Sequence, residues 1–525
     1  MATAHIDTFA KDNLPPADQQ PVFLLDRPEF QYPEKLNAAV ELIGNPAFKD
    51  RIAVIDKAGR TTFGQMDDLS SRIAAVLVED MGVVPGNRVL LHGPNCKLMA
   101  ACWLGILKAG AIAVATMPLL RAADLAPVIA KAKVTHALAH PELMEALAPT
   151  TSTVKTLNFA EVEAKAAGKQ PLPPVETYAE DLALIAFTSG TTGVPKGTMH
   201  FHRDVMVICD GFPRSMLETR ADDIFIGTPP LAFTFGLGGL VLFPWRYGAA
   251  SVLIERYTPQ SLLEAIRDYK ATVTFTAPTF YRLMAQAADG IDISSLRACV
   301  SAGEALPAAI RAAWKKASGI EMIDGIGATE MLHIFISHKP GEARPGATGK
   351  PIPGYEAKIV DQEFNEVPVG EVGRLAVRGP TGCRYLADDR QRNYVKNGWN
   401  LTGDAYLKDS DGYFFFQSRT DDMIVSAGYN IAGIEVENVL LGHPAVSECA
   451  VIGVADGERG QIVKAFVVLK SGEAASEALV KTLQEHVKAT IAPYKYPRAI
   501  EFRDVLPKTE TGKLQRFKLR DQTGV

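Results

Sequence analysis

Between residue 181 and about residue 330, short and nearly unbroken apolar runs alternate with longer stretches of helical periodicity. DLALIAF leads through a loop to HRDVMVICDGF, DIFIGTP to GLGGLVLFPW, ASVLIE to PQSLLEAIRDYK, ATVTFTA to PTFYRLMAQAA, and LRACVSAG to LPAAIRAAWKKAS. Strands that are apolar on both faces and joined by crossover helices belong to a parallel sheet covered on both sides. NRVLLHG, CKLMAACWLGILKAG and AIAVATM repeat the habit, which predicts a second unit of this kind between residues 50 and 150. From about 345 to 420 the texture changes to short strands and turns (YEAKIVD, GRLAVRG, GYFFFQS), the mark of a small β-rich subdomain. Past Arg419, a helix at IEVENVLLG, strands at SECAVIGV and KAFVVLK, and a helix at SEALVKTLQEHVKATI suffice for a separate α+β domain. The expected fold class is therefore α/β: a large N-terminal domain, residues 1–420, of two parallel-type αβα sheet units plus the β-rich subdomain, and a small C-terminal domain, residues 421–525.

A chain of 525 residues is too long for one ordinary core, in keeping with this division. Its formal charge of −5 gives no nucleic-acid footprint, so acidic ligands must be held by local charge. Cys96, Cys102, Cys209, Cys299, Cys383 and Cys449 are scattered, with no CxxC pair and no metal-ligand spacing, and read as buried thiols of a reducing compartment. The N-terminal segment lacks an apolar core behind a basic start, and no later stretch runs 18 apolar residues. A cytoplasmic protein without membrane association is expected.

FTSGTTGVPKGTMH, residues 187–200, follows the apolar strand LALIAF. Backbone N–H groups and the hydroxyls of Thr188, Ser189, Thr191 and Thr192 can converge there on an anion, with Gly190, Gly193 and Gly197 allowing the tight path and Lys196 supplying charge. Pro195 precedes and Gly197 follows the lysine, so the segment is not a Walker A loop, which argues against a P-loop kinase.

The stretch closely resembles the phosphate-binding signature of the adenylate-forming superfamily of acyl-CoA synthetases, adenylation domains and luciferases. SAGEALP (301–307), DGIGATE (324–330), LTGD (401–404), RTDDMIVSAGYNI (419–431) and PKTETGKLQR (507–516) follow in the family's order. Taken singly, LTGD passes for a turn and RTDD for a solvated helix start; order and spacing lift them. The resemblance implies ATP, Mg²⁺ and coenzyme A as cofactors. It makes Glu330 the carboxylate that holds Mg²⁺ on the nucleotide phosphates, with Thr329 beside it. Asp404 and Arg419 become the residues that fix the ribose, and Gly303, Glu304, Ala305, Asp324, Gly325, Ile326 and Gly327 the lining of the adenine slot. Many relatives stack an aromatic ring on adenine where this chain has Ile326, so only apolar contact is expected there.

Lys513 resembles the lysine essential for adenylation, which offsets repulsion as a carboxylate attacks an α-phosphate. The small domain is then mobile, rotating about Asp421 so that Ser426, Ala427, Gly428 and Tyr429 replace Lys513 and line a pantetheine tunnel. The acid pocket falls on Phe233, Phe235, Ala328, His333 and Ile334, a compact wall suited to a flat ring. GATEMLHIFIS and the segment DNLPPADQQPVFLLDRPEFQYPEKLNAA resemble the benzoate and 2-aminobenzoate branch, which serves aromatic degradation. The implied reaction is AMP-forming ligation of a small aromatic carboxylic acid to CoA by a monomer or homodimer, with His333 facing any polar ortho substituent. An enzyme loading an aryl acid onto a carrier protein would use the same residues.

Overall fold

The computed structural model describes residues 2–150, 153–188, 195–426, 429–457, 459–508 and 514–522, with Thr150, Asp421, Val425, Tyr429 and Asn430 as backbone alone. Among the described residues the strands form four sheets. A six-stranded sheet runs in the order Lys155–Asn158, His136–Ala139, Arg88–His92, Ile112–Thr116, Leu182–Thr188, Lys196–Phe201, parallel except for its last pair. A nine-stranded sheet has a parallel centre (Ile323–Gly327, Ala298–Ala302, Val273–Thr276, Ile224–Gly227, Ala250–Val252, Ile52–Asp56) and antiparallel strands at both edges.

The two units are not the contiguous blocks that the sequence pattern suggests. Strand Leu182–Thr188 pairs with Ile112–Thr116 and so joins the earlier unit, whereas Ile52–Asp56 pairs with Ala250–Val252 in the later one. Apolar periodicity reports that a strand is buried on both faces, but hydrogen-bond partners are chosen by tertiary packing. Both sheets and the helices Phe63–Ala75, Lys97–Lys108 and His202–Asp210 feed one buried cluster that includes Val89, Leu91, Trp103, Val205, Phe225, Trp245, Phe275 and Val300. Local signals set the helix ends: Thr62 and Gln65 form a capping box at Phe63, and Gly319, at φ 76°, closes Ala308–Ser318.

The β-rich subdomain is a five-stranded antiparallel sheet in which Trp399–Lys408 pairs with both Gly373–Arg378 and Phe414–Arg419. A short turn, Thr420–Asp422, follows, and the next strand, Ile424–Ser426, already belongs to the separate, smaller C-terminal domain. That domain has a five-stranded sheet and its own core of Ile424, Ile431, Val436, Val451, Val463, Val467, Leu483 and Val487. Glu448 meets Arg282 of the larger body at 3.3 Å. All six cysteines are unpaired, and all but Cys96 are buried. No described helix is long and apolar enough to cross a membrane.

Candidate functional site

Strands Leu182–Thr188 and Lys196–Phe201 form an antiparallel pair with Thr188 opposite Lys196. Thr188 and Lys196 therefore stand at the two mouths of the glycine-rich loop; Ser189, Gly190, Thr191, Thr192 and Gly193 lie outside the described residues. The alternation of a strand puts Lys196, Thr198 and His200 on one face. That face looks onto the turn Thr329–Met331, which joins Ile323–Gly327 to the antiparallel strand Ile334–Ser337.

Several contacts hold this turn. His200 Nε2 donates to the Thr329 carbonyl at 2.8 Å, and Thr381 Oγ1 donates to the Met331 carbonyl at 2.7 Å. Leu332, at φ 68°, completes the reversal. The Glu330 carboxylate is buried and its Oε1 accepts from the Tyr385 hydroxyl at 2.5 Å. Lys196 Nζ lies 5.3 Å from the centroid of the same tyrosine ring. Lys196 and Glu330, remote in sequence, thus meet on either side of Tyr385. Beneath them, Arg384 Nη1 donates to Asp204 Oδ2 at 3.1 Å, and the guanidinium lies over Phe23 and Phe201. Burial alone would raise the Asp204 carboxyl, but Arg384 and His200 outweigh it and hold the group well below the usual carboxylate range.

The segments expected to enclose adenine also converge. Ala302, which precedes Gly303, is in parallel register with Gly325. Gly303 turns at φ 85°, Glu304 accepts from Thr279 Oγ1 at 2.9 Å, and Ala305 is partly exposed. Asp324 is buried, and burial pushes its carboxyl up to about 7 against the pull of Arg311. Gly325 and Gly327 permit close packing, since a Cβ would come within 2.9 Å of Ile334 at the first and 2.8 Å of the His333 backbone at the second. Ile326 is half-buried.

LTGD, which could pass for a turn, lies within the strand Trp399–Lys408. Asp404 pairs in register with Arg419, and Nη1 reaches Oδ1 at 2.8 Å. Burial raises the Asp404 carboxyl, Arg419 opposes this, and the Glu330 carboxylate is near enough to add to the rise. Gly403, at φ 77°, allows the contact, because a Cβ there would sit 2.7 Å from Arg419 Nη2.

On the acid side, Phe233 caps the short helix Thr234–Leu237 and is 36% exposed, so it is not a core residue. Phe235, Phe243, Phe275 and Phe212 surround the His333 ring, the nearest being Phe243 at 4.4 Å between centroids. Neither nitrogen of His333 has a hydrogen-bond partner of good geometry among the described residues, and burial pushes its pKa down to about 3 against the pull of the Phe235 backbone. Ile334 is buried beside it, and Ala328 is partly exposed.

In the small domain, Lys513, Ala427 and Gly428 lie outside the described residues. Ser426 is buried, Asp421 falls in the turn Thr420–Asp422, and Tyr429 begins the strand Tyr429–Ile431. In the tail, Lys508 pairs with Glu448 at 2.6 Å and Arg516 with Glu437 at 2.7 Å. Tyr385, Arg384, His200 and Asp204 carry no motif role in the sequence, yet they build this site. Of these, only His200 carried a signal, the period-two alternation of KGTMHF.

Two αβ sheet units that supply a lysine and a buried carboxylate, a β-rich subdomain that adds an Asp–Arg pair, and a small separate domain after them define a nucleotide-handling class of enzyme. The chain belongs to the family of AMP-binding enzymes, whose model matches residues 45–385, and the model of that family's C-terminal domain matches residues 435–513. It is 36% identical over 512 residues to the benzoate–CoA ligase of Thauera aromatica, covering 94% of this chain and 97% of that one. The solved structure of the anthranilate CoA ligase AuaEII in complex with anthranoyl-AMP superposes with a TM-score of 0.90 at 36% identity, covering 95% and 99% of the two chains. That of a benzoate CoA ligase from Burkholderia xenovorans LB400 gives 0.84 at 33%, covering 92% and 99%.

Proposed function

We propose that this chain is an AMP-forming aryl-acid:CoA ligase acting on benzoate or 2-aminobenzoate, in the service of aromatic degradation. The observation that carries the reading is the aromatic floor around His333, which ends the acid side in flat apolar walls next to the Glu330 turn. The near-full-length similarity to ligases named for benzoate and anthranilate supports the same class of acid.

In the first half-reaction an aryl carboxylate oxygen attacks the α-phosphorus of ATP, and pyrophosphate leaves. Thr188, Lys196 and the loop between them bind the phosphates. Asp404 and Arg419 hold the ribose hydroxyls, and residues 303–305 with 324–327 enclose adenine. Lys513 shares its charge between the two reacting anions, each otherwise repelling the other in a dry site. In the second half-reaction the CoA sulfur attacks the acyl carbon and AMP leaves with the bonding pair. Asp421, at the junction of residues 1–420 and 421–525, is the hinge that exchanges Lys513 for Ser426, Ala427, Gly428 and Tyr429. An ortho amino group on the ring faces His333, whose nitrogens have no side-chain partner among the described residues and accept or donate as required.

The donor set fits Mg²⁺. Among the described residues only one Glu330 carboxylate oxygen, Oε1, takes a side-chain hydrogen bond, which leaves the other to a cation with Thr329 beside it, and no three His, Cys, Asp or Glu gather into a protein cage. A hard cation held by one carboxylate takes its other ligands from phosphate and water. When bound, Mg²⁺ screens the triphosphate charge.

The test is pyrophosphate release with ATP and Mg²⁺ over a panel of benzoates, 2-aminobenzoate, cyclic and fatty acids, with and without CoA. Aryl-dependent release and free aryl-CoA are expected. A preference for long-chain acids, or release without thioester until a carrier protein is added, would overturn the reading.

A further inference from the structure

Tyr385 stands in the loop that follows strand Gly373–Arg378 and touches both charged groups of the site. Its hydroxyl donates to Glu330 Oε1, and its ring face lies under Lys196 Nζ. The tyrosine is itself fixed. It is 1% exposed, its backbone bridges Thr198 on the Lys196 strand, its N–H donates to Gln391 Oε1 at 2.9 Å, and its ring packs edge-on against Tyr394 at 5.7 Å. Gln391 is held in turn, its Nε2 donating to the carbonyls of Gln19 and Cys383. The contact is therefore not an opportunistic rotamer, because backbone on both sides dictates where the hydroxyl points.

A free carboxylate can rotate and offer either or both oxygens to a cation. One that already accepts a phenolic hydrogen bond on one oxygen is locked in plane and presents the other alone. Small divalent cations demand near-octahedral geometry and keep several waters, which favours a single oxygen from each carboxylate. Partners that orient a metal-binding carboxylate in this way sustain a large share of the affinity. The ring adds a second constraint, since a cation over a tyrosine face is held by the quadrupole.

We propose that Tyr385 is a positioning residue for the nucleotide–metal complex: its hydroxyl fixes Glu330 for one-oxygen coordination of the divalent cation, and its ring sets Lys196 toward the triphosphate. The inference rests on the assignment of Glu330 as the cation's carboxylate.

The experiment is calorimetric titration of the full-length enzyme with α,β-methylene ATP, in Mg²⁺ and again in EDTA, so that the gain in affinity due to the metal is read apart from turnover. In Tyr385→Phe, which keeps shape and ring, the gain is expected to fall roughly tenfold to a hundredfold, while binding in EDTA stays at the wild-type level. Glu330→Gln should remove the gain, and the double variant should be no worse than Glu330→Gln alone, because the hydroxyl acts through that carboxylate. Tyr385→Leu should in addition weaken binding in EDTA, as Lys196 loses its platform. A full Mg²⁺ gain in Tyr385→Phe, with the gain lost in Glu330→Gln, overturns the role of the hydroxyl and leaves the metal assignment standing. A full gain in Glu330→Gln removes the assignment and the inference together. Wild-type binding of Tyr385→Leu in EDTA overturns the part given to the ring.

Discussion

Asp404 and Arg419 face each other across neighbouring antiparallel strands, Oδ1 to Nη1 at 2.8 Å, with the carboxylate buried and the guanidinium side chain 52% exposed. The pair thus presents a fixed acceptor inside the site and a cation at its rim. With Asp404 on the ribose hydroxyls, Asp404→Asn should weaken AMP and ATP binding by about 1.5–3 kcal/mol, the usual worth of a charged hydrogen bond, or roughly tenfold to a hundredfold. Equilibrium binding of AMP checks this. Unchanged affinity would place the ribose elsewhere.

The two half-reactions separate the role of Lys513 from that of the nucleotide site. Lys513→Ala is expected to lose acyl-adenylate formation by several orders of magnitude while converting supplied aryl-adenylate and CoA to thioester at near wild-type rate. Equal loss in both assays would contradict domain alternation. Asp421→Pro should show the opposite pattern, with adenylation kept and thioester formation lost.

His333, proposed to line the acid pocket, also bears on acid stability. Its pKa is pushed from 6.5 to about 3 by burial, so the folded protein keeps it neutral while the unfolded chain binds a proton below pH 6.5. The stability tied to this neutral form is complete above pH 6.5 and is lost as pH falls toward 3. By pH 5 the loss amounts to about 2 kcal/mol for one such group. His333→Met should therefore show a smaller drop in calorimetric midpoint between pH 7 and pH 5 than wild type, together with a changed ranking of ring-substituted benzoates. His202, also buried with a pKa of about 3, leaves a residual slope in both proteins. Parallel pH profiles would show that His333 is hydrated or partnered.

Gly238 has no room for a methyl group. A Cβ there would lie 2.4 Å from His333 Cδ2. Gly238→Ala should cost about 1–3 kcal/mol through overpacking and depress turnover of substituted benzoates more than of benzoate. Adding His333→Ala should restore part of the thermal midpoint. An additive loss in the double variant would mean that the strain falls on another neighbour.

Much of this molecule could be read in advance, and the reasons are local. Runs such as VTFT and ACVSA carry only apolar and small hydroxyl side chains and are buried at every position because both faces are covered, and Thr62 with Gln65 announces a helix start by hydrogen bonds within four residues. The motif residues Lys196, Glu330, Asp404 and Arg419 could be picked out because each sits in a short ordered pattern. Tyr385 had no such pattern. Its importance comes from pairing Thr198 across a loop and from reaching Glu330, neither of which leaves a periodic trace.

By itself, then, the amino-acid sequence determined the kinds of elements, the order of the domains and the chemical groups on offer, because helix and strand periodicity and loop composition act over a few neighbouring residues. The tertiary structure alone decided that Leu182–Thr188 completes the earlier sheet and Ile52–Asp56 the later one, that a buried histidine sits among four phenylalanines, and that one tyrosine joins Lys196 to Glu330. Those outcomes depend on which buried surfaces find each other across long stretches of chain, a choice governed by the packing of the whole core.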